Sequence, residues 1–268
     1  MKLEYIINKI EEKYPLFLQY EWDNSCLNIG DRGSDVKKIL LSLEVTEKTI
    51  NEAIEKGVDL IISHHPFIFS KMKSITCDSQ KGRLIYELIK RNISVYSMHT
   101  NLDIANEGLN DYFMNLIEAK NMSVFVVEGE DCRYDNGKAY GLGRIGYINE
   151  TTVFEMANRL KSILNTKDIR VVGNIDSKVS KIAVVTGSGA EFFMQAHNEG
   201  CDLLITGDVK YHQAIDSESI GMNIIDCGHY GSEQIFSDLM YDKLKEIINN
   251  DEVEILKTEL KQNPFKNI

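Results

Sequence analysis

Six side chains of two chemical kinds recur at matched positions in this sequence. His99 and Asp103 stand four residues apart in MHTNLD, His229 and Glu233 four apart in GHYGSE, and His64 and His65 close the apolar run DLIISHH side by side. Neutral imidazole nitrogen together with anionic carboxylate oxygen is the usual ligand set of zinc, iron and manganese, and suits these ions better than calcium. Six such groups exceed the needs of one ion. Two divalent ions, bridged by a carboxylate or a water, would use five or six of them and leave open positions where water is activated near neutral pH. A single histidine at a strand end is more often a hydrogen-bonded structural residue, so the recurrence, and not any one motif, points to metal.

Other chemistry-bearing residues fit less sharply. Cys227, two residues before His229, could add a soft ligand but reads more simply as a buried, inert thiol. His197 in MQAHNEG reads as a solvated helical residue, whereas Asp208, Lys210 and His212 in TGDVKYHQA follow a strand end, where they either form a surface loop or bind substrate and shuttle protons. His99 and His212 are the candidates for moving protons. The glycine-rich turn in VVTGSGAEF opens a helix whose amides could hold a phosphate, but it lacks the lysine of a phosphate-binding loop and the spacing of a dinucleotide fingerprint.

For groups this far apart in the chain to meet, strands must end beside one another. Lys37–Val45 reads as a buried strand, TEKTINEAIEKG as a helix capped by Thr46 and ended at Gly57, and DLIISHH as a second strand, which implies a parallel pair. A helix over 81–91 and the strand ISVYSMH repeat the pattern. In open α/β sheets, ligands bind at the carboxyl ends of strands, because loops converge there. His64 and His65 would point to opposite faces if their strand continued, and Pro66, which cannot extend a ladder, favours a turn instead.

The same unit occurs twice. KIAVVTGSGAEFFMQAHNEGCDLLITGD lies over KILLSLEVTEKTINEAIEKGVDLIISHH without a gap, so that Lys38, Ile39, Ala53, Gly57 and Asp59 meet Lys181, Ile182, Ala196, Gly200 and Asp202, each 143 positions later. This predicts a duplicated α/β module and an α/β fold of two related lobes. The polar stretch EGEDCRYDNGKAYG, without periodicity, is the natural boundary. The expected first lobe is 1–128 plus 236–268, with the helix after Glu233 and the extended segment EVEILKTEL returning to it; the second lobe is 129–235. An amphipathic helix over Leu3–Glu12 is closed by Pro15, and a further helix starts at Thr151 or Thr152.

Composition narrows the partners. A formal charge of −11 over 268 residues disfavours nucleic acid and anionic membrane. Five scattered cysteines with no CxxC pair suit a reducing cytoplasm, and the amphipathic start has neither the apolar core of a signal peptide nor the length to span a bilayer.

Taken together with WDNSCLNIGD near the start, DLIISHHPFIF, MHTNLD, LLITGDVKYHQA, GHYGSE and the late NPF, the sequence resembles the GTP cyclohydrolase 1 type 2 homologues, the NGG-interacting-factor-like dinuclear metal-centre family. The resemblance covers nearly the whole chain. It implies two related α/β lobes with the metal site between them, metal ligation by His64, His65, Asp103, His229 and Glu233 with His99 near the site, and assembly of a hexameric ring. It also implies a hydrolase acting on a small molecule such as a nucleotide, the family name suggesting opening of the purine ring of GTP. A non-catalytic regulatory or scaffold protein is the alternative. This chain has Cys26 where the family pattern favours glycine, and it lacks the long insertion that some members carry between the lobes.

Overall fold

The computed structural model describes residues 1–167, 169–248 and 253–266. In chain order its elements begin with α1 (Leu3–Lys13), β1 (Cys26–Ile29), β2 (Lys38–Ser42), α2 (Glu47–Lys56), β3 (Leu60–Ser63), α3 (Gln80–Lys90), β4 (Ser94–Ser97) and α4 (Thr100–Ile104). Then follow α5 (Leu109–Leu116), β5 (Lys120–Glu130), β6 (Ala139–Thr152), α6 (Val153–Ile163), β7 (Arg170–Val172), β8 (Lys178–Val184), α7 (Phe193–Asn198) and β9 (Leu203–Thr206). The chain continues through α8 (Tyr211–Ser219), β10 (Asn223–Asp226), α9 (His229–Glu233), α10 (Phe236–Ile248) and β11 (Glu254–Lys257). No helix among the described residues is long and apolar enough to cross a membrane.

Two compact units form, Met1–Leu102 with Phe236–Gln262, and Asp103–Ile235 with Asn263–Ile268. The first holds a five-stranded sheet in the order β1-β4-β3-β2-β11, parallel except for β1 at its edge. Strands β3 and β4 are buried at every position, as the strands of a parallel sheet are when helices cover both faces. Leu40, Ile61 and Val95 pack with Ile50, Ala53, Ile85 and Leu88 of α2 and α3, while α10 packs against β2 and α1. The extended segment after α10 does join this unit, where β11 pairs in parallel with β2.

The second unit holds a six-stranded mixed sheet, β5-β6-β8-β9-β10-β7, in which β8, β9 and β10 run parallel. Here the structure departs from the expected boundary. The stretch from Glu128 to Gly141 is not a linker; it is the tip of a long antiparallel hairpin of β5 and β6, and β5 therefore belongs to the second sheet. A Cβ at Gly141 would lie 1.9 Å from the Val126 carbonyl oxygen, so this glycine serves close approach of strands instead of chain flexibility. The division between units falls earlier, within α4. Beyond it the chain is tied down by Arg144, 2% exposed, which donates to the Asp111 carboxylate and to the carbonyls of Ala105, Gly141 and Gly143.

The internal echo is carried by hydrogen bonds as well as by residues. The Asp59 carboxylate accepts from the amides of Lys37 and Lys38 at 2.8 and 2.9 Å. In the second unit Asp202 accepts from Ser180 and Lys181, both at 2.9 Å. Gly57 and Gly200 both take the left-handed conformation, φ 63° and 70°, and the residue after each donates to the equivalent alanine carbonyl, Ala53 or Ala196. This is the glycine-terminated helix end that returns the chain towards the sheet. The registers match too, Ile39 opposite Leu60 and Ile182 opposite Leu203.

Candidate metal centre

In the first unit three parallel strands deliver their carboxyl ends together, so that Glu44 follows β2, His64 and His65 follow β3, and His99 follows β4. The chain turns immediately after Ser63, as Pro66 suggested, and the His64 and His65 rings lie 5.0 Å apart instead of on opposite faces. His99 stands 5.2 Å from His64 and 5.3 Å from His65, ring centre to ring centre. One nitrogen from each of the three falls within 4.8 Å of the others. That spacing suits nitrogens converging on metal.

Each ring is fixed through Nδ1. His64 Nδ1 lies 2.7 Å from the Met98 carbonyl oxygen, His65 Nδ1 2.6 Å from Glu44 Oε1, and His99 Nδ1 2.8 Å from Asp23 Oδ1. Asp23, whose side chain is wholly inaccessible, also accepts from the Asn24 amide, the Ser25 hydroxyl, and the Thr100 amide and hydroxyl. Burial opposes its ionisation, but the His99 contact and these donors outweigh that cost and hold its carboxyl well below the usual range. Asp23 also meets the first amide of α4, the helix that carries Asp103. Cys26 opens β1 opposite Ser97, in a strand whose register shifts between Leu27 and Ile29.

The second unit repeats the plan with other residues. After β10 the chain enters α9 at His229, and four residues on, at the spacing that places two side chains on one helix face, comes Glu233. His229 Nε2 approaches Glu233 Oε2 to 3.0 Å, and His229 Nδ1 lies 2.8 Å from Asp208 Oδ2. Asp208, the position equivalent to His65, adopts φ 54°, and it orients the histidine instead of belonging to a plain surface loop. Gly187 packs against the pair; a Cβ there would meet Glu233 Oε1 at 2.3 Å. Asp103 is buried, its backbone carbonyl held by Asn110, which in turn accepts from the Thr186 amide.

The remaining candidates separate clearly. The glycine-rich turn does not form an anion cradle, because Thr186, Gly187 and Gly189 donate to side chains of Asn110, Ser232 and Thr206. His212 is exposed on the first turn of α8, its ring against Tyr211, and Lys210 and His197 are exposed as well. Cys227 is 1% exposed, and burial raises its thiol pKa far above the usual range, as an inert thiol requires. Beside His229 lies a cleft of about 480 Å³, lined among others by Lys167, Arg170, Asp208, Tyr230 and Phe265; Phe265 belongs to the NPF segment. Sequence reading overlooked Asp23 and Glu44, although Asp23 sits within the quoted WDNSCLNIGD.

With this geometry established, comparison with known proteins is decisive. Residues 1–264 match the family model of Duf34/NIF3, NGG1p interacting factor 3. The chain belongs to the DUF34/NIF3 family. A relative in Clostridium perfringens named GTP cyclohydrolase 1 type 2 homolog is 40% identical, with 99% of each chain covered. Another of the same name, from Streptococcus pneumoniae, is 33% identical over 98% of each chain. Among solved structures, a Bacillus cereus protein related to NIF3 superposes with a TM-score of 0.92 at 27% identity, covering 100% of this chain and 99% of its own. Reduced HcgD from Methanocaldococcus jannaschii gives 0.78 at 29% identity, covering 97% and 98%. Two sheets with their flanking helices are thus the NIF3 architecture, and this member carries His/Glu groups able to hold a metal ion.

Proposed function

We propose that this NIF3 family member is a metal-dependent hydrolase of a small molecule, with His64, His65, Asp103, His229 and Glu233 holding two divalent ions of zinc, iron or manganese. One observation carries the reading: the three proposed histidine ligands, His64, His65 and His229, each have Nδ1 set against an acceptor, in two of them a carboxylate. Metal-ligating histidines are oriented in this way, since the partner on one nitrogen fixes the tautomer and raises the basicity of the other. The donor set also fits, with neutral nitrogen and anionic oxygen in the proportion that borderline divalent ions take. When bound, such ions supply Lewis acidity towards a substrate oxygen and towards water.

The chain's own groups would manage the protons. His99 is the mover, because the ionised Asp23 carboxylate at its Nδ1 both directs the ring and stabilises the imidazolium formed when the other nitrogen takes a proton. His212 is the weaker of the two candidates, being exposed with no carboxylate in its described ring contact. The names of the relatives make nucleotides the first substrates to test, GTP before others. By the family resemblance the working form is a hexameric ring of this chain.

Metal analysis tests the reading before any substrate is guessed. The purified protein is expected to hold close to two ions per chain, and His64→Ala and Glu233→Ala to lose at least one while remaining folded by circular dichroism. Loaded protein should then hydrolyse GTP or another member of a nucleotide panel. Full metal content in both variants would overturn the assignment of ligands. Stoichiometric metal with no turnover across the panel would favour a metal-binding regulatory protein.

A further inference from the structure

The first unit exposes aromatic surface where its imidazoles gather. Trp22 is 58% exposed and Phe69 55%. The Trp22 ring stacks on Tyr20 at 5.6 Å and 22°, and meets Phe69 at 6.1 Å and 63°. Both exposed rings also stand edge-on to His99, Trp22 at 5.8 Å and Phe69 at 6.5 Å. Large aromatic rings left half in water forgo burial worth having, unless something else covers them. The next residue, Asp23, ties this loop to β4 and α4 through its carboxylate's bonds with His99 and Thr100.

We propose that Trp22 and Phe69 form a stacking platform for the planar heteroaromatic ring of the substrate, holding that ring against His99. This rests on the hydrolase reading above and adds to it the side chains that would hold the ring of such a substrate. The extent of the surface favours such a ligand over a second copy of the chain. Two half-exposed side chains offer on the order of 200 Å² together, against about 800 Å² on each partner of a stable protein interface. Stacking on an indole face is tolerant of ring identity, because every heterocyclic base has a π face. Selection among bases would then come from the polar groups around the platform, and the platform itself would admit several.

Trp22 is the single tryptophan among the 268 residues, so its fluorescence reports on the platform directly. Guanosine, GTP, adenosine and the ring-free ribose 5-phosphate are titrated into metal-loaded protein, with metal content and oligomeric state measured on the same samples. The three ring-bearing probes should quench Trp22 saturably, and ribose 5-phosphate should not. By equilibrium dialysis, Trp22→Ala and Phe69→Ala should each weaken GTP binding by about tenfold or more, with Trp22→Phe retaining most of it. Absence of saturable quenching by any ring-bearing probe, or unchanged dialysis constants in the alanine variants, overturns the platform. So does a change of oligomeric state in those variants with ring binding intact, which would make the rings an interface between copies. Metal content separates the two readings: loss of quenching with both ions present refutes the platform alone, whereas quenching by a protein that binds no metal supports the platform and refutes the dinuclear centre.

Discussion

The two copies of the strand-helix-strand module keep the same framework and differ at the point where the second strand ends. In the first, β3 runs into His64 and His65; in the second, β9 runs into Gly207 and Asp208, 143 positions later in each case. The hydrogen bonds of Asp59 and Asp202 to the entering strand, and the left-handed glycines that end both helices, are shared. Duplication has therefore preserved what shapes the backbone and released what occupies the rim. The first copy contributes imidazoles; the second contributes a carboxylate that holds an imidazole supplied by α9, beyond α8 and β10.

The position pairing His64 with Gly207 should give the largest contrast. His64 is fully buried with its ring on the Met98 carbonyl. At Gly207 there is no room, since a Cβ would come within 2.4 Å of the Gly187 carbonyl oxygen and 2.6 Å of backbone atoms of Gly228 and His229. All of these are main chain, so none can move aside alone. Gly207→Ala is expected to cost about 3 kcal/mol or more, read by urea denaturation. If it unfolds at the wild-type midpoint, the close backbone approach that seats α9 is not a requirement of the second module.

Next come the two aspartates that orient histidines. Asp23 is inaccessible and accepts five hydrogen bonds, whereas the Asp208 side chain is 51% exposed. Asp23→Asn puts an amide donor among donors and is expected to cost about 2 kcal/mol of stability at neutral pH. Because the folded-state pKa of Asp23 is depressed, its contribution is present above the unfolded value near 3.8 and is lost as the pH falls below it. Wild type and Asp23→Asn should therefore converge in stability towards the acid end, and a difference that persists unchanged would refute the ionised state. Asp208→Asn should leave stability nearly intact and, like Glu44→Gln at His65, weaken metal binding about tenfold by competition with a chelator.

How much of this was legible beforehand follows from the range of each interaction. The buried parallel strands, the Thr46 cap, the Gly57 stop and the repeat all rest on signals within a few residues or on a fixed offset, so the sequence displays them. The β5–β6 hairpin was hidden because Glu128–Gly141 has the polarity of a linker and no period of its own, and only the pairing of its two flanks with each other makes strands of them. Asp23 was hidden for a related reason. Its importance depends on His99 and Thr100, more than seventy residues away, and nothing in WDNS announces five donors. Asp208 was half visible, since the repeat aligned it with His65, but its bond to His229 crosses from one loop to the next.

The helix caps offer the smallest and cleanest test of the divergence between modules. Thr46 closes the amino end of α2 with a reciprocal pair of bonds, its hydroxyl accepting from the Thr49 amide and the Thr49 hydroxyl accepting from its own amide. The equivalent residue in the second module is Gly189, which has no side chain to offer, and the helical stretch beyond it opens with a 3-10 turn, Ala190–Phe192, before the six residues of α7. Thr46→Ala should cost about 1 kcal/mol and Thr46→Ser almost nothing, measured by urea denaturation. A serine at Gly189 should bring no reciprocal gain, because its Cβ would meet Val185 Cβ at 2.3 Å and Thr206 Oγ1 at 2.9 Å. The Gly189 amide already donates to that Thr206 hydroxyl, so the second module has replaced a cap from its own helix with a bond from the neighbouring strand end. Thr206→Val should then destabilise the second module by about as much as Thr46→Ala destabilises the first. A cost confined to Thr46 would show that only the first copy still depends on capping.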